Sequence, residues 1–304
     1  MTLKIIFMGT PHFAVPALKK IYESKIDLVA VYSQPPRKSN RGMKIEKSPV
    51  HEFADNNNLN IRIPSKLDND WEYFKSLSFD LAIVVAYGQI ISKNFLELSK
   101  YGFLNIHASI LPKWRGAAPI QRSIMEQDTF TGISIMKIEE KLDAGPVLIK
   151  QEIELNETST AGQVEQSLSE IGANKILEAI RLVEKKETVY IPQDDNAATY
   201  AKKIKKEDEA IEWNSDAKAI IAQINGLNPR PGAYFEYKGE KIKIWKARYS
   251  NQDGEPGLVI NDHLQIACGK GSILVEEVQR PGKKIQPTKI FLLGFSIPEF
   301  TKLN

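Results

Sequence analysis

The run Phe103-Leu104-Asn105-Ile106-His107 is apolar except for an amide and an imidazole two residues apart. Side chains on a β-strand repeat every two residues, so Asn105 and His107 face the same way. A carboxamide donates hydrogen bonds, and an imidazole gains or loses a proton near neutral pH. The pair suits a reaction in which charge gathers on an oxygen and a proton has to move. It equally suits a hydrogen-bonded core asparagine beside a structural histidine, because buried polar groups are commonly just satisfied. The residue types alone leave both readings open.

The surrounding elements decide where the pair sits. Residues 3–8, 27–32, 80–87, 103–107, 132–138 and 147–155 read as strands. Several are continuous apolar runs such as Leu81-Ala82-Ile83-Val84-Val85-Ala86, the pattern of strands covered on both faces in a parallel sheet. Helices are expected over 16–24, 48–57, 121–126 and 159–185. In the last of these, Val164, Leu168, Ile171, Ile176, Ile180 and Val183 follow helical spacing. The alternation predicts a doubly wound, Rossmann-like α/β domain over residues 1–188. In such sheets the carboxyl ends of the strands carry the ligand crevice, and Asn105 and His107 stand at such an end. The turn Gly9-Thr10-Pro11-His12-Phe13 holds one glycine where the dinucleotide fingerprint needs three, so no nicotinamide or flavin is expected.

The texture changes after about residue 185. Pro192 and Asp194-Asp195-Asn196 fall in a stretch, 189–208, that reads as a linker ending in Lys202, Lys203, Lys205 and Lys206. Residues 209–304 open with a short helix over 216–225, capped by Ser215. Strands follow over 233–237 and 241–249, joined by the turn Lys238-Gly239-Glu240, and over 258–260, 264–268 and 272–278. Short strands at this density predict a small OB-like β-barrel.

Composition narrows the class. A chain of 304 residues suits two domains, and 42% hydrophobic with 26% charged residues is an ordinary globular mixture. The single cysteine, Cys268, makes neither an internal disulfide nor a thiolate metal cluster, which favours a reducing, cytoplasmic setting. No apolar run reaches membrane-spanning length, and Lys4 interrupts an N-terminal stretch already too short for a signal peptide. A net charge of +3 does not argue for nucleic acid, so local clusters matter more.

The flanks of the polar pair are more specific. His107 is followed by Ala108-Ser109-Ile110-Leu111-Pro112 and Trp114-Arg115-Gly116, and Leu142-Asp143-Ala144-Gly145-Pro146 follows the fifth strand. N-x-H-x-S-x-L-P with a downstream L-D-x-G resembles the 10-formyltetrahydrofolate-dependent formyltransferases. Met8-Gly9-Thr10-Pro11, Val84-Val85-Ala86-Tyr87-Gly88, Trp114 through Arg122, Asn228-Pro229-Arg230-Pro231-Gly232 and the extra C-terminal domain are similar to the tRNA-directed branch of that family. His12 departs from the acidic residue usual there, and Val147 from the usual methionine.

The resemblance implies attack by the α-amine of methionyl initiator tRNA on the formyl carbon of 10-formyltetrahydrofolate. The transfer is expected to be direct, through a tetrahedral intermediate, with no covalent enzyme species and no metal. It implies Asn105 as oxyanion donor, His107 as proton shuttle and Asp143 as the carboxylate orienting the imidazole or a bridging water. It also implies a folate slot of Ser109, Ile110, Leu111, Pro112, Val85, Tyr87 and Gly88, contacted largely through backbone groups. Read alone, residues 84–86 are plain strand core, and Ser109 suits a turn as well as a ligand.

The amine carrier rests on other residues. Residues 34–47 carry Arg37, Lys38, Arg41, Lys44 and Lys47 against Glu46, which suits either a solvated loop or a phosphate backbone. The segment resembles the insertion with which the tRNA-directed branch wedges into the acceptor end, with Arg41 in its Arg-Gly pair and Lys44 beyond. In Lys241-Ile242-Lys243-Ile244-Trp245 the isoleucines face one way, and Lys241, Lys243 and Trp245 the other. That pattern fits an RNA surface or a basic edge strand. A nucleotide-sugar N-formyltransferase would share Asn105, His107 and Asp143, but the basic loop and residues 228–232 speak against it. An RNA-binding protein on a retired transferase scaffold is the non-enzyme alternative. A monomer is expected.

Overall fold

The computed structural model describes residues 3–39 and 44–303. In chain order the first elements are β1 (Lys4–Gly9), α1 (Val15–Glu23), β2 (Asp27–Tyr32), β3 (Arg37–Ser39), β4 (Lys44–Glu46), α2 (Pro49–Asn56) and β5 (Ile61–Arg62). Then come α3 (Trp71–Ser76), β6 (Leu81–Val85), α4 (Lys93–Leu96), β7 (Phe103–His107), β8 (Arg115–Gly116) and α5 (Pro119–Met125). β9 (Phe130–Lys137), β10 (Val147–Glu154), α6 (Ala161–Lys185) and β11 (Tyr200–Ala201) follow.

The chain forms two compact units. The first holds the residues up to Gly116 with Gly132–Glu152 and Glu165–Tyr200, and the second holds Ala117–Thr131, Ile153–Val164 and the chain from Ala201 onward. A seven-stranded sheet runs in the order β10-β9-β7-β6-β1-β2-β5. β1, β2, β5, β6 and β7 are parallel, as their continuous apolar runs predict. β9 departs from that pattern and pairs antiparallel with β7. The helix between them, α5, belongs to the second unit, so no crossover returns the chain to the start of β7.

Two contacts fix β7. On the Phe103 face, Phe74 of α3 lies 4.9 Å from Phe95 of α4 and stacks on Phe103, and all three rings are buried. Each ring contributes about 2–3 kcal/mol by leaving water. On the other face Gly172 of α6 comes so close to Ile106 that a β-carbon there would sit 2.8 Å from its Cγ2. α6 starts at a capping box: Thr160 Oγ1 accepts from the Gln163 N–H, and Gln163 Oε1 accepts from the Thr160 N–H. Its expected apolar face is buried except at half-buried Ile171.

In the second unit α7 (Ala217–Gly226) is capped by Asp216, whose carboxylate accepts from the Lys218 N–H at 2.8 Å. This corrects the expected Ser215 cap. Asp216 is the last extended residue before the helix, and Ser215 instead offers its carbonyl to Gly269. The strands are β12 (Ala233–Tyr237), β13 (Glu240–Ser250), β14 (Gln265–Ala267), β15 (Ser272–Gln279) and β16 (Gln286–Pro287), with α8 (Thr288–Gly294) at the end. They pair antiparallel in the order β12-β13-β15-β14, with β16 on β15. Lys238 and Gly239, both at positive φ, make the tight hairpin turn. The strand expected over 258–260 is reduced to isolated bridges, Leu258 to Lys302 and Val259 to Ile266. Ile220 and Ile224 of α7, Phe235, Ile242, Ile244, Ile266, Val275 and Phe291 share one core. No helix among the described residues is long and apolar enough to cross a membrane.

Candidate active site

β7 lies inside the sheet, with Asn105 in register with Val84 on β6 and Met136 on β9, and His107 opposite Ser134. Asn105 is half-buried, and no group among the described residues hydrogen-bonds its amide. His107 is 6% exposed. Its Nε2 lies 2.9 Å from the Trp114 carbonyl, and its Nδ1 lies 3.7 Å from Asp143 Oδ2. A carbonyl only accepts, so Nε2 carries a proton and donates. Nδ1 is the nitrogen that faces the carboxylate. The three residues expected to work together are near one another through His107, and Asp143 reaches it at longer than hydrogen-bond distance.

Backbone strain aims the partners. Trp114 has φ +64° and Asp143 φ +47°, a left-handed conformation costing about 1 kcal/mol or more for a residue with a β-carbon. The Trp114 N–H donates to Thr199 Oγ1 at 2.9 Å. Asp143 Oδ2 accepts from the Gly116 N–H at 2.8 Å. Residues 114–116 thus hold His107 with a carbonyl and Asp143 with an amide.

The stretch that reads as a linker straps this arrangement. Ile191 exchanges two backbone hydrogen bonds with Val147. Gln193 Oε1 accepts from Arg115 Nε at 3.0 Å and Nη2 at 2.9 Å, while its Nε2 donates to the carbonyls of Asp143 at 2.8 Å and Gly145 at 2.7 Å. Arg115 is fully buried, with Nη1 2.8 Å from Asp195 Oδ1. Lys141 and then Arg115 hold the Asp195 carboxyl below its ordinary range. Nothing in the sequence pattern marks Gln193, because its partners are 78 and 50 residues away.

The expected slot residues divide. Ser109 is buried and donates to the Lys113 carbonyl at 2.6 Å, closing the turn, and its own carbonyl accepts from Ser134 Oγ at 2.7 Å. Ser134 Oγ also accepts from the Leu111 N–H, so this buried serine, absent from the expected set, pins the loop. Leu111 packs against Met136 and Val147, while Ile110 and Pro112 are half-buried. Val85 is buried, and Gly88 is exposed at φ +79°. The Tyr87 side chain joins the core of Tyr32 and Phe74, where burial pushes its phenol up, so only its backbone remains for a ligand. Thr10 Oγ1 and Gln34 Nε2 both donate to its carbonyl. His12 is exposed.

Of the basic residues, Arg41 lies outside the described residues, and Lys44 opens β4. Lys241 Nζ donates to the Tyr234 hydroxyl at 2.7 Å and Lys243 Nζ to the Pro231 carbonyl at 2.5 Å. Lys241 is exposed and Lys243 half-buried, and Trp245 does not extend their row. It sits where β13 shifts register against β15, is 7% exposed, and donates its indole N–H to Gln279. The bulge turns it inward. Asn228 donates to the Trp245 carbonyl at 2.9 Å and accepts from the Gly162 N–H, a structural role for residues 228–232.

Residues 3–180 match the Formyl transferase family, and residues 203–296 match the Formyl transferase, C-terminal domain family. The methionyl-tRNA formyltransferase of Pelagibacter ubique is 51% identical, with 100% of this chain and 99% of that protein covered. That of Parvibaculum lavamentivorans is 43% identical, covering 97% and 98%. Among solved structures, the Helicobacter canadensis N-formyltransferase in complex with folinic acid and dTDP-3-aminofucose aligns with a TM-score of 0.69 at 19% identity, covering 91% of this chain and 99% of that one. Aquifex aeolicus HypX in complex with tetrahydrofolic acid aligns at 0.67 and 16%, covering 100% and 51%; both likenesses speak for the fold alone. The chain belongs to the formyl transferase family, in the branch of the methionyl-tRNA formyltransferases.

Proposed function

We propose that the chain transfers the formyl group of 10-formyltetrahydrofolate directly to the α-amine of methionyl initiator tRNA. The observation that carries the chemistry is the fixed tautomer of His107. With Nε2 committed to the Trp114 carbonyl, Nδ1 faces Asp143 and can take the proton of the attacking amine and hand it to the departing folate nitrogen. The Asn105 amide, with no hydrogen-bond partner among the described residues, is available to donate to the formyl oxygen as charge gathers there. The amine's C–N bond forms first, giving a tetrahedral intermediate, whose collapse breaks the C–N bond to the folate nitrogen, and no side chain is needed as nucleophile.

The slot proposed for the folate is lined by two backbone segments, residues 84–88 and 109–112. Their turns are held by Thr10, Gln34 and Ser134, which supports binding through main-chain groups. For the tRNA, the proposed contacts are Arg41 and Lys44 in the basic loop and Lys241 and Lys243 on β13.

The test offers 10-formyltetrahydrofolate with either methionyl initiator tRNA or amino-sugar nucleotides. Formylation of the tRNA alone is expected, and formylation of the sugar alone overturns the reading. A formylated enzyme that chases into product would remove direct transfer. Arg41→Leu is expected to slow formylation at limiting tRNA, and an unchanged rate removes the basic loop from the tRNA site.

A further inference from the structure

Gln193 uses its whole hydrogen-bonding capacity on the site. Its carbonyl oxygen accepts twice from Arg115, and its amide donates to the carbonyls of Asp143 and Gly145. Arg115 in turn lies between the two backbone groups that hold the site, the Trp114 carbonyl on His107 and the Gly116 N–H on the Asp143 carboxylate. The contacts close a ring: from the Asp143 carboxylate to Gly116, through Arg115 and Gln193, and back to the Asp143 carbonyl. Asp143 sits at φ +47°, a conformation that persists only when its surroundings over-determine it. Both of its anchors, at carboxylate and at carbonyl, belong to this ring.

We infer that Gln193 is a positioning residue for formyl transfer, keeping the Asp143 turn in its left-handed conformation so that the carboxylate faces His107 Nδ1. A carboxamide is the side chain this place requires, because one end must accept from a guanidinium while the other donates to two carbonyls. Arg115 and Asp195 serve the ring as its counterweight: the buried guanidinium is neutralised by the exposed carboxylate and orients the Gln193 oxygen. The inference rests on the role proposed above for Asp143.

Gln193→Glu tests it, since glutamate keeps the size and the acceptor for Arg115 but turns a second oxygen against the two carbonyls. Single-turnover rates with enzyme in excess, with methionyl initiator tRNA and 10-formyltetrahydrofolate, keep slow variants measurable. The formyl-transfer rate is expected to fall about 10-fold or more, as for other small misplacements of reacting groups, while the KM for each substrate stays within about 2-fold. In an Asp143→Asn background the same change is expected to cost less than about 2-fold, because the group it positions is already gone. Equal losses in both backgrounds, or an unchanged rate for Gln193→Glu alone, overturn the inference. Gln193→Met, which keeps the volume and removes both donors, serves if the glutamate variant fails to fold, with the same expectations. If Asp143→Asn by itself turns over at the parent rate, the proposed role of Asp143 fails instead.

Discussion

His107 donates its Nε2 proton to the Trp114 carbonyl across 2.9 Å, and the carbonyl points there because Trp114 adopts φ +64°. A strained backbone residue thereby fixes which nitrogen of a buried imidazole faces a carbonyl and which faces the Asp143 carboxylate. The Asn105 amide two residues earlier has no comparable tether among the described residues, and the proposed function assigns it to the formyl oxygen.

Asn105→Ala is accordingly expected to lower kcat by about 10²- to 10³-fold, the usual loss of one oxyanion donor, with KM for both substrates little changed. Steady-state kinetics check this, and a loss below about 3-fold would remove Asn105 from the proposed chemistry.

Gly172→Ala brings a β-carbon to 2.8 Å from Ile106 Cγ2, on the strand residue between Asn105 and His107. The variant is expected to lose about 1–3 kcal/mol of stability by overpacking and to lose activity as β7 shifts. Denaturant unfolding and turnover measured together decide it: a stable variant with parent activity means that α6 gives way instead.

Asp70 is one source of acid sensitivity. Burial opposes its ionisation, but hydrogen bonds from Arg62 and Tyr32 outweigh burial and hold its carboxyl below the ordinary value of 3.8. A lowered folded value means stability present in full above the unfolded value and lost as pH falls through the lower folded one. Asp70→Asn is expected to cost about 2 kcal/mol at pH 7 by removing the buried carboxylate from its ion pair with half-exposed Arg62. The gap between variant and parent should shrink below about pH 4. A gap that stays constant down to pH 3 contradicts the assignment.

Lys241→Ala with Lys243→Ala is expected to raise KM for the tRNA several-fold and to reduce the salt dependence of binding by about two units of slope. KM for the formyl donor should not move. An unaltered salt slope takes β13 out of the RNA footprint and leaves its lysines as a solvated edge.

The hydrophobic pattern was enough to place most elements. β2 and β7 fall on the expected residues, and the expected helices lie within a few residues of α1, α2, α5 and α6, because apolar periodicity is written locally. Period two also put Asn105 and His107 on one face before any tertiary information. The direction of β9, the Asp216 cap and the inward turn of Trp245 depended on what lies next to them in space. So did the site's support. Arg115 read as part of a motif, but its burial, its grip on Gln193 and the service of Gln193 to Asp143 join residues up to 78 positions apart. Sequence by itself determined that Asn105 and His107 share one strand face, since that follows from strand parity, and the family resemblance added Asp143 to the candidate groups. Only the tertiary structure decided how they are aimed, because a tautomer, a left-handed turn and a closed hydrogen-bond ring exist only once distant segments are brought within about 3 Å of each other.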